Sequence, residues 1–244
     1  IDNSHWDLPS ISHHMQNRGY HDWIILIELL RDSWLEVLSK NILLAREKAI
    51  LWFQKPYPVF KRLALFAASY DQVIAPKQWC DWLCQNDAWW LWDTQTQRET
   101  MRLLVLQGEN LDQHSQSCLE EAILSGLPRR MFREDLEVSQ FQEMNEHTIW
   151  LHLAKLDSGG VNLSDNTEAY FKELSSNNPK WEIDNKYQKD EFSHWMSGSG
   201  DPDYEDKRTY ELAPTKKLDL MEWLMESKSN YSFEHGDNWR DVCI

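Results

Sequence analysis

The most distinctive polar string in the chain is Glu191-Phe192-Ser193-His194-Trp195-Met196-Ser197-Gly198-Ser199-Gly200-Asp201-Pro202-Asp203, followed by Tyr204 and Glu205. Its glycines and the Asp-Pro pair make a tight loop. Asp201, Asp203 and Glu205 alternate as calcium ligands do. The sixth position of such a loop needs glycine for its sharp turn, and Asp206 stands there instead. His194 close to Asp201 offers an acid–base pair, yet no nucleophile or third group accompanies it. This loop reads as a contact surface rather than a catalytic or metal site.

A second polar cluster, Leu127-Pro128-Arg129-Arg130-Met131-Phe132-Arg133, carries three guanidinium groups beside two apolar side chains. Arginines so placed can grip a phosphate or an acidic loop through paired hydrogen bonds, or neutralise Glu134, Asp135 and nearby carboxylates within the fold. Exposed loops carry recognition more often than packed helices. Partner contacts are therefore expected at Arg129, Arg130, Phe132 and Arg133, and at Trp195, Asp201, Asp203 and Tyr204 of the later loop. Cys80 and Cys84 can meet on one helix face, but C-x3-C without nearby histidines is a weak metal pattern. With Cys118 and Cys243 they make no disulfide framework, so free thiols in a reducing cytoplasm are expected. His13 and His14 lack a third ligand, and His147 and His152, five apart, point to different faces. No phosphate-loop, dinucleotide, nucleophile-elbow or H-E-x-x-H motif occurs. The segment itself is expected to bind rather than catalyse, with no cofactor of its own.

These side chains would be carried by helices. Glycine is scarce and aromatic content high, with 8 glycines and 14 tryptophans, as suits an ordered helical protein. The stretch 79–104 holds five of those tryptophans, Trp79, Trp82, Trp89, Trp90 and Trp92. Few cations interleave with them, so they read as helix–helix core rather than a base-stacking platform. From 20 to 39, Trp23, Leu26, Ile27, Leu30, Trp34, Val37 and Leu38 make a helical stripe. Ile24, Ile25, Leu29 and Leu35 widen it, predicting a helix packed on two sides. A second helix over 42–53 stops before Lys55-Pro56-Tyr57-Pro58. A third spans 59–70 with Lys61 and Arg62 flanking its apolar face, and a fourth opens at Pro76. A fifth opens at Thr94 with Gln97 in a capping-box pattern, and a sixth is capped by Asp112 and stopped at Gly126. Two more follow over 136–156 and after Ser164, and Thr215 caps a last one.

The helix starts recur about every 18 residues, which makes a helical hairpin of about 36, the length of tetratricopeptide- and HEAT-like units. The fold class expected is all-α, a helical-hairpin repeat array (α-solenoid-like) with an irregular acidic C-terminal part, against the competing reading of an irregular helical bundle. Its parts would be a linker over 1–17, the array over 18–180, a loop-rich acidic segment with a terminal helix over 181–228, and a tail over 229–244. The net charge of −15 is uneven: residues 1–135 hold 14 Lys/Arg against 18 Asp/Glu, and residues 136–244 hold 11 against 22. Such a balance argues against a general nucleic-acid or anionic-membrane partner. No apolar run reaches the ~20 residues of a membrane span. The opening Ile1 suggests a piece of a longer protein.

Four strings, YPVFKRLALFAA at 57–68, WWLWDTQTQRETMRLLVLQG at 89–108, IWLHLAKLDSG at 149–159 and DEFSHWMSGSGDPDYED at 190–206, resemble the C-terminal helical region of bacterial anti-phage defence-associated sirtuins. They also look like the sensor arrays of AVAST-type STAND NTPases. The resemblance spans about residues 20–225 and includes no catalytic signature. It implies a cytoplasmic sensing segment that binds a phage structural protein and releases an NAD-hydrolysing effector domain elsewhere in the same chain. A structural scaffold that forms a homo-oligomer, or a free-standing helical adaptor, is the competing expectation.

Overall fold

The computed structural model describes residues 4–17 and 23–195, with Lys216 and Asp219. The chain divides into two compact units, Ile1–Trp195 and Met196–Ile244, and everything below concerns the first. The terminal helix, the tail, and Asp201, Asp203, Tyr204, Glu205 and Cys243 lie outside the described residues.

The protein is all-α, with no strand among the described residues. Its helices are α1 (Ser4–Asp7), α2 (Ile24–Lys40), α3 (Ile42–Gln54), α4 (Pro58–Ala68), α5 (Pro76–Trp92), α6 (Gln97–Gln107), α7 (Gln113–Leu124), α8 (Val138–Ser158) and α9 (Asp165–Asn177). Local chemistry sets the boundaries. Asn41 is extended and its side chain accepts the Leu44 N–H at 3.0 Å, so α2 ends and α3 begins across one residue. Pro58 and Pro76 occupy first-turn positions of α4 and α5, where a missing N–H costs nothing. Asp112 accepts the Ser115 N–H at 2.9 Å and starts α7, and Gly126 follows the end of that helix with φ of 73°. The capping box expected at Thr94 does not form. The helix starts at Gln97, because the Thr96 hydroxyl turns back to the Trp90 carbonyl at 2.8 Å.

Helix α5 contains a break that no glycine or proline marks. Gln85 is extended, and Asn86, Asp87 and Ala88 follow with φ of 54°, 57° and 54°. A left-handed turn costs L-residues roughly 1–2 kcal/mol each. Asn and Asp tolerate that region best. Ala88, Leu91 and Trp92 are all buried, so the turn leads directly into the core.

The helices pack α3 on α2 and α4, α4 on α6, α5 on α6 and α7, α6 on α8, and α8 on α7 and α9. As expected, tryptophans build the core. Trp79 is fully buried, Trp82 stacks on Phe53 at 4.3 Å, and Trp92 lies against His152. Trp34 meets Trp52, Phe66 and Tyr70 edge-on or tilted while its indole N–H donates to the Ala45 carbonyl at 2.9 Å.

Three expectations are corrected. Helix α2 is covered on one side only: Ile24, Ile27, Arg31 and Trp34 are buried, whereas Trp23, Ile25, Leu26, Leu29 and Leu30 are exposed. Lys61 and Arg62 do not flank α4 in solvent but sit inside it, because buried acceptors await both ammonium and guanidinium. The opening residues 4–17, expected as a linker, are partly buried. Leu8, Ser10, Ile11, Ser12 and Gln16 are buried.

Candidate functional site

The largest concentration of polar chemistry is a buried network binding the two irregular ends of the unit to the helices. Segment 4–17 and segment 184–195 lack a helical or strand ladder for most of their backbone groups, and an orphaned buried carbonyl is costly. Cations supply the donors. Arg62 on α4 donates to the Leu8 and Pro9 carbonyls at 2.6 and 3.1 Å and reaches the Ser4 hydroxyl at 3.3 Å. It also grips Glu99 of α6 with two bonds of 3.0 and 3.1 Å, a bidentate pair whose members are 0% and 1% exposed. Glu99 accepts in turn the Ile11 N–H at 2.8 Å, and Arg31 of α2 donates to the Ile11 carbonyl at 3.0 Å.

The later segment is pinned in the same way. The Lys155 ammonium of α8 donates to the Tyr187, Asp190 and Phe192 carbonyls at 2.7, 2.5 and 2.5 Å, and its burial brings its pKa down to about 8. The Ser10 and Ser12 hydroxyls donate to Glu191, which also lies 3.5 Å from Arg102. Burial works against the Glu191 charge, but hydrogen bonds with Asp190, Ser12 and Ser10 hold its carboxyl at about 2. His14 closes the clasp, bonding Asp190 at 2.7 Å and stacking on Phe192 at 4.2 Å. Donors and acceptors of this network are committed to one another and to backbone. What it does chemically is fix the fold.

The arginine loop is placed on the surface, but its cations are engaged internally. Arg129 donates to the Arg133, Glu134 and Leu136 carbonyls at 2.8, 3.3 and 3.0 Å and lies over the Phe141 ring. Arg130 pairs with Asp87 at 2.9 Å and donates to the Asn86 carbonyl, so it clamps the left-handed turn of α5. Arg133 pairs with Asp135 at 2.5 Å, and Phe132 packs edge-on against Phe141. Trp195, half-buried, lies beside the Lys186 ammonium. His194 is next to the Ser193 hydroxyl at 2.9 Å, while its expected partner Asp201 lies outside the described residues. His147 stacks with Trp150 and meets Trp181 edge-on. His152 is buried, with its ring nitrogens toward the Thr148 and Leu91 carbonyls at 2.8 and 3.2 Å.

Two features gain their setting only from the fold. Cys80 and Cys84 on α5 lie with their sulfurs 3.8 Å apart, facing α7, where His114 and Cys118 make a second pair at 3.9 Å. Cys80 donates to the Ser115 carbonyl at 3.2 Å, and Cys84 points to the Cys118 carbonyl at 3.9 Å. The hydrogen bond to Cys84 and burial push the Cys80 thiol well above the usual thiol range, while the same bond lowers Cys84. Among the described residues, no three His, Cys, Asp or Glu side chains gather in a metal-holding group. The second feature is a set of exposed apolar side chains on α2 and α3. Leu26 is 66% exposed and Leu43 is 68% exposed, with Ile25, Leu29, Ile42 and Leu51 also in solvent.

An open hollow between α7 and α9 is lined by Ser117, Glu121, Leu124 and Asn166. Its central carboxylate, Glu120, already accepts from the Ser164 and Thr167 hydroxyls and thereby anchors the start of α9. No described helix is long and apolar enough to cross a membrane. Compared with known proteins, the chain matches no family model, no curated protein and no solved structure.

Proposed function

We propose that the chain is a protein-binding helical module whose contact surface is the outer face of α2 and α3. The observation that carries this reading is the exposure of Ile25, Leu26, Leu29, Ile42, Leu43 and Leu51 on two helices packed against each other. Large apolar patches on a folded surface mark interaction sites. In this reading the face takes precedence over the arginine loop, because Arg129, Arg130 and Arg133 each already bond a carbonyl or carboxylate of the chain. The packing of α4 on α6 and α6 on α8, with α5 on α7, supports a stacked helical array.

The sequence resemblance supplies the class of partner. In this reading the module is the sensing and regulatory part of a larger anti-phage protein. It binds a phage structural protein and controls an NAD-hydrolysing effector domain of the same parent chain. The same exposed apolar face favours one competing reading, a scaffold that self-associates. Both are tested with Leu26→Asp and Leu43→Asp, using binding to purified phage structural proteins and sedimentation velocity at several concentrations. Sensor function expects a monomer that binds one phage protein and loses at least tenfold affinity in each variant, about 1.4 kcal/mol or more. Self-association abolished by the same substitutions, without phage-protein binding, would replace the sensor with a scaffold. Binding indifferent to both substitutions would remove the face from either account.

A further inference from the structure

We propose that Cys80 and Cys84 form a reversible dithiol–disulfide pair that exchanges with small-molecule disulfides of the oxidised-glutathione type. The pair combines what such chemistry needs. The two sulfurs are 3.8 Å apart on adjacent turns of one helix. Cys84 is half-buried, and its contact with the Cys80 sulfur favours its thiolate, the nucleophilic form. Cys80 is buried behind it and held by the Ser115 carbonyl, the arrangement of a resolving thiol that small reagents do not reach first.

The step balances within named groups. The Cys84 thiolate attacks one sulfur of the small disulfide, whose S–S bond breaks and releases one thiolate. Cys80 then loses its proton to solvent or to that thiolate and attacks the Cys84 sulfur, releasing the second thiolate. The protein dithiol is oxidised by two electrons, and the small disulfide is reduced to two thiols.

Helix geometry puts residues four apart at a Cα separation of about 6.2 Å, inside the roughly 4.4–6.8 Å that a disulfide accepts. Their Cβ atoms stand about 5–6 Å apart on a regular helix, farther than the roughly 3.5–4.5 Å of a disulfide. The last turn must therefore tighten. An unbroken helix would resist, but here regular α5 ends at this point: Gln85 is already extended and the left-handed turn of Asn86, Asp87 and Ala88 follows. The break confines the tightening to the last regular turn before Gln85.

The test uses the whole chain, equilibrated with mixtures of reduced and oxidised glutathione, trapped by alkylation and digested with trypsin. Residues 78–98 form one tryptic peptide holding both Cys80 and Cys84, while residues 103–129 form another holding Cys118. The expected product is peptide 78–98 lighter by two hydrogens, restored by a reducing dithiol. In Cys80→Ser the resolving thiol is gone, so Cys84 should accumulate a glutathione adduct roughly tenfold above the parent chain. In Cys84→Ser, Cys80 should stay unmodified while circular dichroism shows the helices intact. A link between the two peptides would assign the chemistry to Cys118 and overturn the pair. Full alkylation of both thiols in oxidised glutathione alone, or an adduct on Cys80 in Cys84→Ser, would overturn it as well. The peptide map of the unsubstituted chain decides the matter even where a serine variant fails to fold.

Discussion

Replacing Arg62 with Met tests whether the buried clasp holds the opening segment in place. The substitution removes two bonds to Glu99, two to the Leu8 and Pro9 carbonyls, and the reach to Ser4. It leaves the Glu99 carboxylate with the Ile11 N–H as its remaining bond described above, at a position 1% exposed. Breaking a buried pair by removing one partner costs about 3–5 kcal/mol, most of it from the stranded charge. For a unit of this length that lowers Tm by on the order of 10 °C. Urea unfolding followed by tryptophan fluorescence reads the total loss. Chymotryptic cleavage near Trp6 and Leu8 reads local release, since Leu8 is buried in the parent chain. Arg62→Met with Glu99→Leu removes the stranded charge and should be more stable than the sum of the single losses by about 2 kcal/mol or more. It still leaves carbonyls and the Ile11 N–H without partners, so recovery should be incomplete. Strict additivity, or a single-variant loss under about 1 kcal/mol, would show that the network contributes little and refute the reasoning.

Two further perturbations follow from packing and protonation. In Gly159→Ala the new Cβ would stand 2.7 Å from the Val105 carbonyl oxygen and 3.0 Å from its Cα, so α8 must shift from α6. Calorimetry should show a loss of roughly 1–3 kcal/mol, and an unchanged Tm would mean the helix ends slide apart freely. His152 is fully buried, and burial lowers its pKa to about 4 from an ordinary 6.5. Its contribution is complete above 6.5 and drains as pH falls toward 4, because the unfolded chain binds the proton first, a loss of about 3 kcal/mol. Stability measured from pH 7 to pH 4 should fall less steeply in His152→Leu than in the parent chain, and equal slopes would remove His152 from the acid response.

The helices were legible because their causes are local. The prolines at 58 and 76, the Asp112 cap and the Gly126 stop act within one turn of themselves, and each works as its residue type suggests. What sequence could not supply was which faces are covered. The apolar residues of α2 surround much of the helix, and periodicity alone does not reveal that Arg31 turns inward while Leu26 and Leu29 stay in solvent. The opening segment read as a linker because it is polar, yet Ser10 finds Glu191 from 181 residues away and Ile11 finds Glu99 from 88. The break in α5 had one weak signal, the pair Asn86-Asp87, which tolerates the left-handed region. The thiol pair was visible, but its setting against His114 and Cys118 depends on α5 and α7 lying together.

Buried cations explain the clasp. Arg31, Arg62 and Lys155 supply donors to carbonyls at Leu8, Pro9, Ile11, Tyr187, Asp190 and Phe192, doing for irregular backbone what a ladder does for a strand. Glu99, Glu120 and Glu191 are buried as well, so the described interior is close to charge balance. Helix α2 joins the two halves of this arrangement. Its Arg31 holds Ile11 from the inner side while Leu26 and Leu29 face outward. The face that would receive a partner thus lies about one helix diameter, roughly 10 Å, from the residue that helps hold the opening segment. A partner that tilted α2 would act on the clasp directly, through Arg31, with no longer path needed.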